Sequence, residues 1–123
     1  MIWQLSGDSP IYSQLVRQIK VGIVSGEYAR GERLPPVREL ALEAGVNPNT
    51  MQRALAELER QGLVYSQRTT GRFVTEDGKM ISAAKLELAE AQITAFLEAM
   101  TRLGYEKCEI IRLLERDAGG EEK

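Results

Sequence analysis

Apolar residues recur at intervals of three and four along most of the chain, and proline and glycine separate the periodic segments. The first segment follows Asp8-Ser9-Pro10, a capping residue and then a proline suited to the first position of a helix. The next two segments begin at Pro35-Pro36 and at Asn47-Pro48, and both stop at a glycine. The pattern predicts five helices, over about residues 10–25, 36–44, 47–61, 79–103 and 106–116, and a frayed tail over 118–123.

The spacing changes to that of strands after the third predicted helix. Leu63–Arg68 and Arg72–Glu76 are short segments that include Val, Tyr, Phe and Thr, and Thr69-Thr70-Gly71 joins them. Because Gly71 can take a positive φ, the two segments predict a β-hairpin. Glu27–Arg33 is polar and predicts a loop, whereas residues 1–5 fit either a short strand or a loose arm.

The second and third predicted helices are separated only by Gly45-Val46-Asn47, a turn short enough for two helices to cross steeply. This is the spacing of a helix-turn-helix, and the hairpin that follows makes it the winged form. We therefore predict a mainly α fold with a small β-hairpin. A winged helix-turn-helix domain would cover residues 1–76, and a two-helix dimerisation element would cover residues 77–123.

The third predicted helix has an apolar side and a polar side. At about 100° per residue, its apolar stripe centres between Met51 and Leu58. The opposite side carries no carboxylate and consists of Asn49, Gln52, Arg53, Ala56 and Arg60. Asn and Gln side chains can pair with adenine, and Arg can pair with guanine. A solvated surface would explain this helix alone, but the tight turn and the hairpin beside it favour DNA binding.

Arg38 is the candidate contact in the second predicted helix. It lies near the start of that helix and points away from the apolar stripe. It can reach a DNA phosphate. Such a contact positions the protein on the duplex but does not distinguish base sequences. It can also pair with Glu39 or Glu43 on its own helix, but such surface pairs contribute little, and we favour the phosphate.

The charges are unevenly distributed along the chain. The net charge is −2, yet residues 1–76 hold 9 Lys and Arg against 8 Asp and Glu. Eight of those 9 cations are arginine, whose forked guanidinium suits phosphates and guanine. Residues 77–123 hold 7 cations against 10 acids. A local basic surface on an acidic protein is sufficient for DNA binding.

The composition argues against an enzyme. The chain has no histidine and one cysteine, Cys108. It therefore lacks Ser–His and Cys–His nucleophile pairs, internal disulfides and zinc sites built from several cysteines, and we expect no catalytic residue, cofactor or metal. No apolar run is long enough to cross a bilayer and no N-terminal signal pattern is present. We therefore expect a cytoplasmic protein without a membrane partner.

Several ordered motifs resemble the N-terminal domain of the GntR family of bacterial repressors, over roughly residues 9–75. The motifs are Pro10–Leu15 (PIYSQL), Gly31–Ala41 (GERLPPVRELA), Val46–Leu55 (VNPNTMQRAL), Leu58-Glu59 and Gly62–Val64. Only about 45 residues follow the hairpin, and this length resembles the YtrA subfamily. The resemblance implies that these residues form a dimerisation element. Members of that subfamily often repress operons that encode ABC transporters.

The resemblance also implies a role for each matching residue. Arg38 would contact the DNA backbone. The residues expected at the major groove are Asn47, Asn49, Thr50, Gln52 and Arg53, although capping is the first role of Asn47. The tip of the wing, near the minor groove, would consist of Arg68, Thr70, Gly71 and Arg72.

Two positions depart from the family pattern. Pro36 stands where the family usually has a serine that caps the second helix. The wing reads Arg68-Thr69-Thr70-Gly71-Arg72-Phe73, whereas the family usually has Arg-Gly-Lys-Gly-Thr-Phe. One glycine and the lysine are therefore missing. We expect Arg72 to supply the charge of that lysine.

We predict a dimer because a single DNA-binding domain of this size (one reading head) makes few base contacts. Two heads on a symmetric assembly read the two halves of an inverted-repeat operator in double-stranded DNA. Pairing with a second copy would also cover the apolar stripes in residues 80–103 and 110–114, although these could instead fold back on the reading head.

The predicted function is a dimeric repressor of a small operon. The alternative is a winged-helix module that binds proteins and not DNA. The sequence leaves the operator, the regulated genes and any small-molecule effector open.

Overall fold

The computed structural model describes the backbone of residues 1–121 and the side chains of residues 1–118. Its elements in chain order are α1 (Ile11–Val24), α2 (Val37–Ala44), α3 (Pro48–Arg60), β1 (Val64–Gln67), β2 (Gly71–Val74), α4 (Gly78–Arg102) and α5 (Lys107–Glu121). β1 and β2 form an antiparallel hairpin in which Val64 lies opposite Val74. The predicted fold class, mainly α with one small hairpin, is confirmed.

The prolines before α1 and α2 each precede the helix rather than occupy its first position. Pro10 has φ −57° and ψ 137°, and Pro36 has φ −59° and ψ 153°, so both residues are extended. No side chain caps α1, so the predicted capping by Asp8-Ser9 is wrong. Proline fits this position because its φ is already near the helical value and it has no N–H group to leave unpaired.

The core of the first part of the chain lies where α1, α2, α3 and the hairpin meet. Its most deeply buried side chains are all apolar: Leu15, Ile19, Leu40, Met51, Leu55, Leu58, Leu63, Val64 and Val74. Burial of one such side chain contributes about 1.5–3 kcal/mol to folding. Because four of the residues of α3 are buried, that helix is held firmly and its remaining sides keep a fixed direction.

The N-terminal residues form neither of the two predicted arrangements. They form no strand, but they are held against α1 by the side chains of Gln14 and Gln18. The Gln18 amide accepts from the Gln4 N–H at 2.9 Å and donates to the Gln4 carbonyl at 2.6 Å. Gln14 pairs in the same way with Ser6, at 2.8 Å for both bonds. Met1, Trp3 and Leu5 pack on the core, so this segment is not a loose arm.

The end of the predicted loop Glu27–Arg33 pairs with the hairpin. The Gly31 N–H donates to the Val74 carbonyl at 3.0 Å, and the Val74 N–H donates to the Glu32 carbonyl at 2.9 Å. The Leu34 N–H donates to the Arg72 carbonyl at 2.8 Å, and Arg33 forms an isolated bridge with Phe73. The prediction of a loop is therefore wrong at its end. The polar sequence carries no strand signal because only the backbone makes this pairing.

The chain divides into two compact units, Met1–Leu86 and Glu87–Lys123, and the division falls within α4. At the start of α4, Ala84 belongs to the core of the first unit and Ile81 packs against it. α5 continues to Glu121, so the predicted end at residue 116 and the predicted fraying over 118–121 are wrong, and residues 122 and 123 lie outside the described part. Gly119 and Gly120 lower the helix propensity of this end, but glycine does not forbid a helix. No helix within residues 1–121 combines the length and apolar character needed to cross a membrane.

Candidate nucleic-acid interface

A tight turn sets the angle between α2 and α3. Gly45 ends α2 in the left-handed conformation with φ +70°, and the Val46 N–H donates to the Ala41 carbonyl at 3.0 Å. An added Cβ at Gly45 would meet nothing within 4 Å, so the backbone conformation rather than space requires glycine there. Asn47 then caps α3 by accepting from the Asn49 N–H at 2.7 Å. The predicted turn and its cap are both present.

The outward side of α3 is the polar side that the spacing predicted. Met51, Ala54, Leu55 and Leu58 are buried, which fixes the direction of the rest. On the exposed side lie Asn49, Gln52, Arg53, Ala56 and Arg60, and Thr50 is half-buried. Asn47 is exposed, but its carboxamide oxygen is engaged by the cap. The structure therefore presents amide and guanidinium groups on one helix face, at the positions where the sequence predicted them.

Arg53 has a partner that the sequence did not predict. Its guanidinium carbon lies 4.7 Å from the centre of the Tyr12 ring, a cation–π contact that joins α3 to the start of α1. A contact between residues so far apart along the chain leaves no signal in local spacing. The ring restrains an arginine that otherwise points into solvent.

Arg60, at the other end of the exposed side, is paired within its own helix. Its guanidinium donates to the carboxylate of Glu57, which also accepts from the Gln61 amide at 2.8 Å. Hydrogen bonds from Arg60 and Gln61 lower the pKa of Glu57 to about 2. Glu57 therefore stays charged and compensates Arg60. The uncompensated positive charge of α3 is centred on Arg53.

The hairpin brings three of the predicted wing residues to its tip. Tyr65 and Phe73 stack across the two strands with ring centres 5.6 Å apart, and the Thr70 N–H donates to the Gln67 carbonyl at 3.2 Å. Arg68, Thr70 and Gly71 are all exposed. Gly71 has φ +110°, so the positive φ expected of it is present.

Arg72 differs from the other predicted wing residues because an acid engages it. Its Nε donates to Oε1 of Glu59 at 2.6 Å, and the Ser66 hydroxyl donates to the same oxygen at 2.7 Å. Burial raises the pKa of Glu59, but the hydrogen bonds from Arg72 and Ser66 outweigh it and the pKa is lowered. Arg72 therefore ties the wing to α3. Its charge is compensated, contrary to the expectation that it replaces the missing wing lysine.

Arg38 is exposed in the first turn of α2. Ion pairs to Glu39 and Glu43 were the alternative for this residue, and no such pair is present among the side chains of residues 1–118. Its guanidinium is therefore available on the same helix-turn-helix that presents α3.

Comparison with known proteins identifies the family. The sequence profile described as "Bacterial regulatory proteins, gntR family" matches residues 11–74, which include the helix-turn-helix and the hairpin. The chain belongs to the GntR family. The HTH-type transcriptional regulator YhcF of Bacillus subtilis is 37% identical over 108 residues, covering 88% of this chain and 89% of that protein. The transcriptional repressor YtrA of the same species is 37% identical over 95 residues, covering 77% of this chain and 68% of that protein.

Solved structures of the GntR family share the fold. A GntR family transcriptional regulator from Listeria monocytogenes is 39% identical, with a TM-score of 0.83, over 91% of this chain and 98% of that one. The DNA-binding domain of AraR in complex with its operator ORX1 is 30% identical, with a TM-score of 0.55, over 58% of this chain and 93% of that one. This GntR protein is therefore a DNA-binding transcriptional regulator with relatives of the YtrA type. It is not an enzyme.

Proposed function

We propose that this GntR protein is a homodimeric repressor of a small operon that binds an inverted-repeat operator. The observation that carries the proposal is the outward side of α3, which is polar, exposed and free of uncompensated acid. The wing lies directly after it and is tied to it through Glu59. Support for repression comes from the relative YtrA, which is named as a repressor. The proposed location of the protein is the cytoplasm, where a bacterial operator lies.

The proposed contacts divide into two kinds. Asn49, Thr50, Gln52 and Arg53 would read base edges in the major groove, where amide and guanidinium groups distinguish adenine and guanine. Asn47 would add a contact at the start of α3 while it keeps its cap. Contacts to the DNA backbone and the minor groove would come from Arg38 on α2 and from Arg68, Thr70, Gly71 and Arg72 on the wing. Of these, Arg72 already pairs with Glu59 at 2.6 Å and therefore has less charge to offer a phosphate.

The apolar surface of α4 supports the homodimer. A row of residues follows the alternating spacing of three and four that is typical of a coiled-coil seam: Leu86, Ala89, Ile93, Phe96, Met100 and Leu103. Leu86 is 59% exposed, Ile93 55% and Leu103 72%. Within residues 87–118, only Ile110 is buried. A second copy would cover this row, since an isolated chain rarely leaves so much apolar surface in water.

Selection of bound fragments from a random duplex pool tests the proposal. The full chain should enrich one inverted repeat with half-sites about one helical turn apart or a multiple of it. Its affinity for that operator should fall steeply with added salt, because phosphate contacts release counterions. Recovery of no common sequence, together with binding that ignores salt, would contradict the proposal and favour the protein-binding module.

The regulated operon is tested separately. Transporter genes are the proposed target because the YtrA branch often controls them, and deletion of the regulator should raise their transcript level. A reporter gene, driven by a promoter with the selected operator upstream, measures the change in expression. Expression that stays unchanged when the regulator is removed would contradict repression while leaving DNA binding intact.

A further inference from the structure

Three arginines lie at the hairpin, and their surroundings differ. Arg72 donates through Nε to Oε1 of Glu59 at 2.6 Å, and Arg68 is exposed at the tip of the hairpin. The third, Arg33, precedes α2 in sequence and is part of no predicted wing. Its backbone nevertheless belongs to the hairpin, because it bridges Phe73 and the bonds of Glu32 and Leu34 to β2 hold it from both sides.

The side chain of Arg33 lies against Gly71, at the start of β2. An added Cβ on Gly71 would stand 3.2 Å from Nε of Arg33 and 3.6 Å from its Nη2. The guanidinium therefore occupies the space that glycine leaves open beside the turn. Its position follows from the backbone pairing, since Gly71 is two residues from Phe73 on the same strand.

The charge of Arg33 is not compensated by a nearby acid. The residue is exposed, and none of the ion pairs among the side chains of residues 1–118 includes it. An exposed guanidinium with its donors unused is suited to bind a phosphate through two parallel hydrogen bonds. The free cations of the hairpin are thus Arg33 and Arg68, while Arg72 serves as a tie within the protein.

We propose that Arg33 is a phosphate-binding residue of the DNA interface and supplies the wing with the charge expected of Arg72. The inference rests on the proposed function. It adds a residue that lies outside both the recognition helix and the wing as the sequence defines them. Because phosphates carry no sequence information, Arg33 contributes to affinity for every duplex and not to the choice of operator.

The test compares Arg33→Gln with the unchanged protein in titrations of the selected operator and of an unrelated duplex at several salt concentrations. The slope of log affinity against log salt should become shallower by about 0.9 for each phosphate that the variant no longer neutralises, or about 2 for a dimer. Affinity at low salt should fall by a similar factor on both duplexes. Arg33→Lys keeps the charge and should restore most of the slope.

Arg17→Gln is the matched control, because Arg17 is an exposed arginine of α1 that lies beside Met1 and Val21 rather than at the hairpin. It should leave the slope unchanged. Thermal unfolding of each variant checks that the fold is retained. If the unchanged protein binds with a steep slope and Arg33→Gln keeps that slope, this inference is overturned and the proposed function stands. If the unchanged protein shows no salt-dependent binding, the proposed function itself fails.

Discussion

At the scale of the residue, the contact between Arg53 and Tyr12 links the fold to the proposed reading of bases. A free arginine side chain loses considerable conformational entropy when it is fixed on a base edge. The Tyr12 ring, 4.7 Å from the guanidinium carbon, restricts Arg53 before DNA arrives. The outward position of Arg53 could be predicted because it depends on the helical repeat of its own segment. Its partner could not, because that contact depends on how α1 packs against α3.

Replacement of Tyr12 by leucine should weaken operator binding through Arg53. Without the aromatic face, the cost of ordering the Arg53 side chain falls on DNA binding. The lost restraint is worth at most the cation–π attraction of about 0.5–1 kcal/mol, so affinity should fall by up to about 5-fold. Tyr12→Phe keeps the ring and should bind like the unchanged protein. Fluorescence anisotropy with the selected operator measures both variants.

A double-mutant cycle separates this effect from a general loss of stability. In an Arg53→Ala background, Tyr12→Leu should cause no further decrease in affinity, because the restrained side chain is already absent. An equal decrease in both backgrounds would show that Tyr12 acts on the fold and not through Arg53.

At the scale of the element, the start of α3 was predictable and the pairing of residues 31–34 was not. Asn47 and Pro48 act within their own helix, and the cap at 2.7 Å is present as the sequence implied. Arg33 and Leu34 pair with β2 through backbone atoms, which every sequence possesses. The tie between Arg72 and Glu59 was not predictable for a similar reason. It joins β2 to α3 across a tertiary contact.

Glu59→Gln should loosen the wing and remove a pH-dependent part of the stability. The folded pKa of Glu59 is lowered, so its ionised form is stabilised in the fold. That contribution is fully present above its unfolded pKa of about 4.3 and is lost as pH falls through the lower folded value. The variant should lose about 1 kcal/mol at neutral pH, and the difference should shrink as pH falls below the unfolded pKa.

Denaturant unfolding at a series of pH values measures this difference. Glu87→Gln is the control, because Glu87 is an exposed carboxylate of α4 outside the ion pairs among residues 1–118. It should change stability little at any pH. A Glu59→Gln deficit that does not depend on pH would contradict the ionic tie.

At the scale of the whole molecule, α4 shows where a sequence pattern is ambiguous. The spacing predicted an apolar stripe within residues 80–103, and the structure buries only Ala84 of that helix. Other apolar side chains of the helix, which include Ile93 and Phe96, are exposed. A helix that is apolar on two sides has no single stripe, so its spacing indicates burial without saying which side faces which partner. The domain boundary at residue 76 and the dimer both remain predictions.

Ile93→Asp should separate the proposed dimer and leave the reading head folded. It places a charge in the centre of the exposed row, whereas Thr94→Asp places the same charge on the polar side between Glu90 and Glu98. Sedimentation should give a monomer for the first variant and a dimer for the second. Operator affinity of the monomer should fall by about 10²-fold or more, because the second half-site is no longer held nearby. A dimer that survives Ile93→Asp would place the interface elsewhere.

Base reading by α3 is tested most directly by one titration of Arg53→Ala against the selected operator and a scrambled duplex of the same length. Removal of a bidentate pair with a base should weaken operator binding by about 1–3 kcal/mol, or about 5- to 150-fold, and relax the preference at one position in each half-site. The scrambled duplex should be affected far less. Arg38→Ala, which removes a proposed phosphate contact, should instead weaken both duplexes alike. If Arg53→Ala binds the operator as the unchanged protein does, the exposed side of α3 does not read DNA.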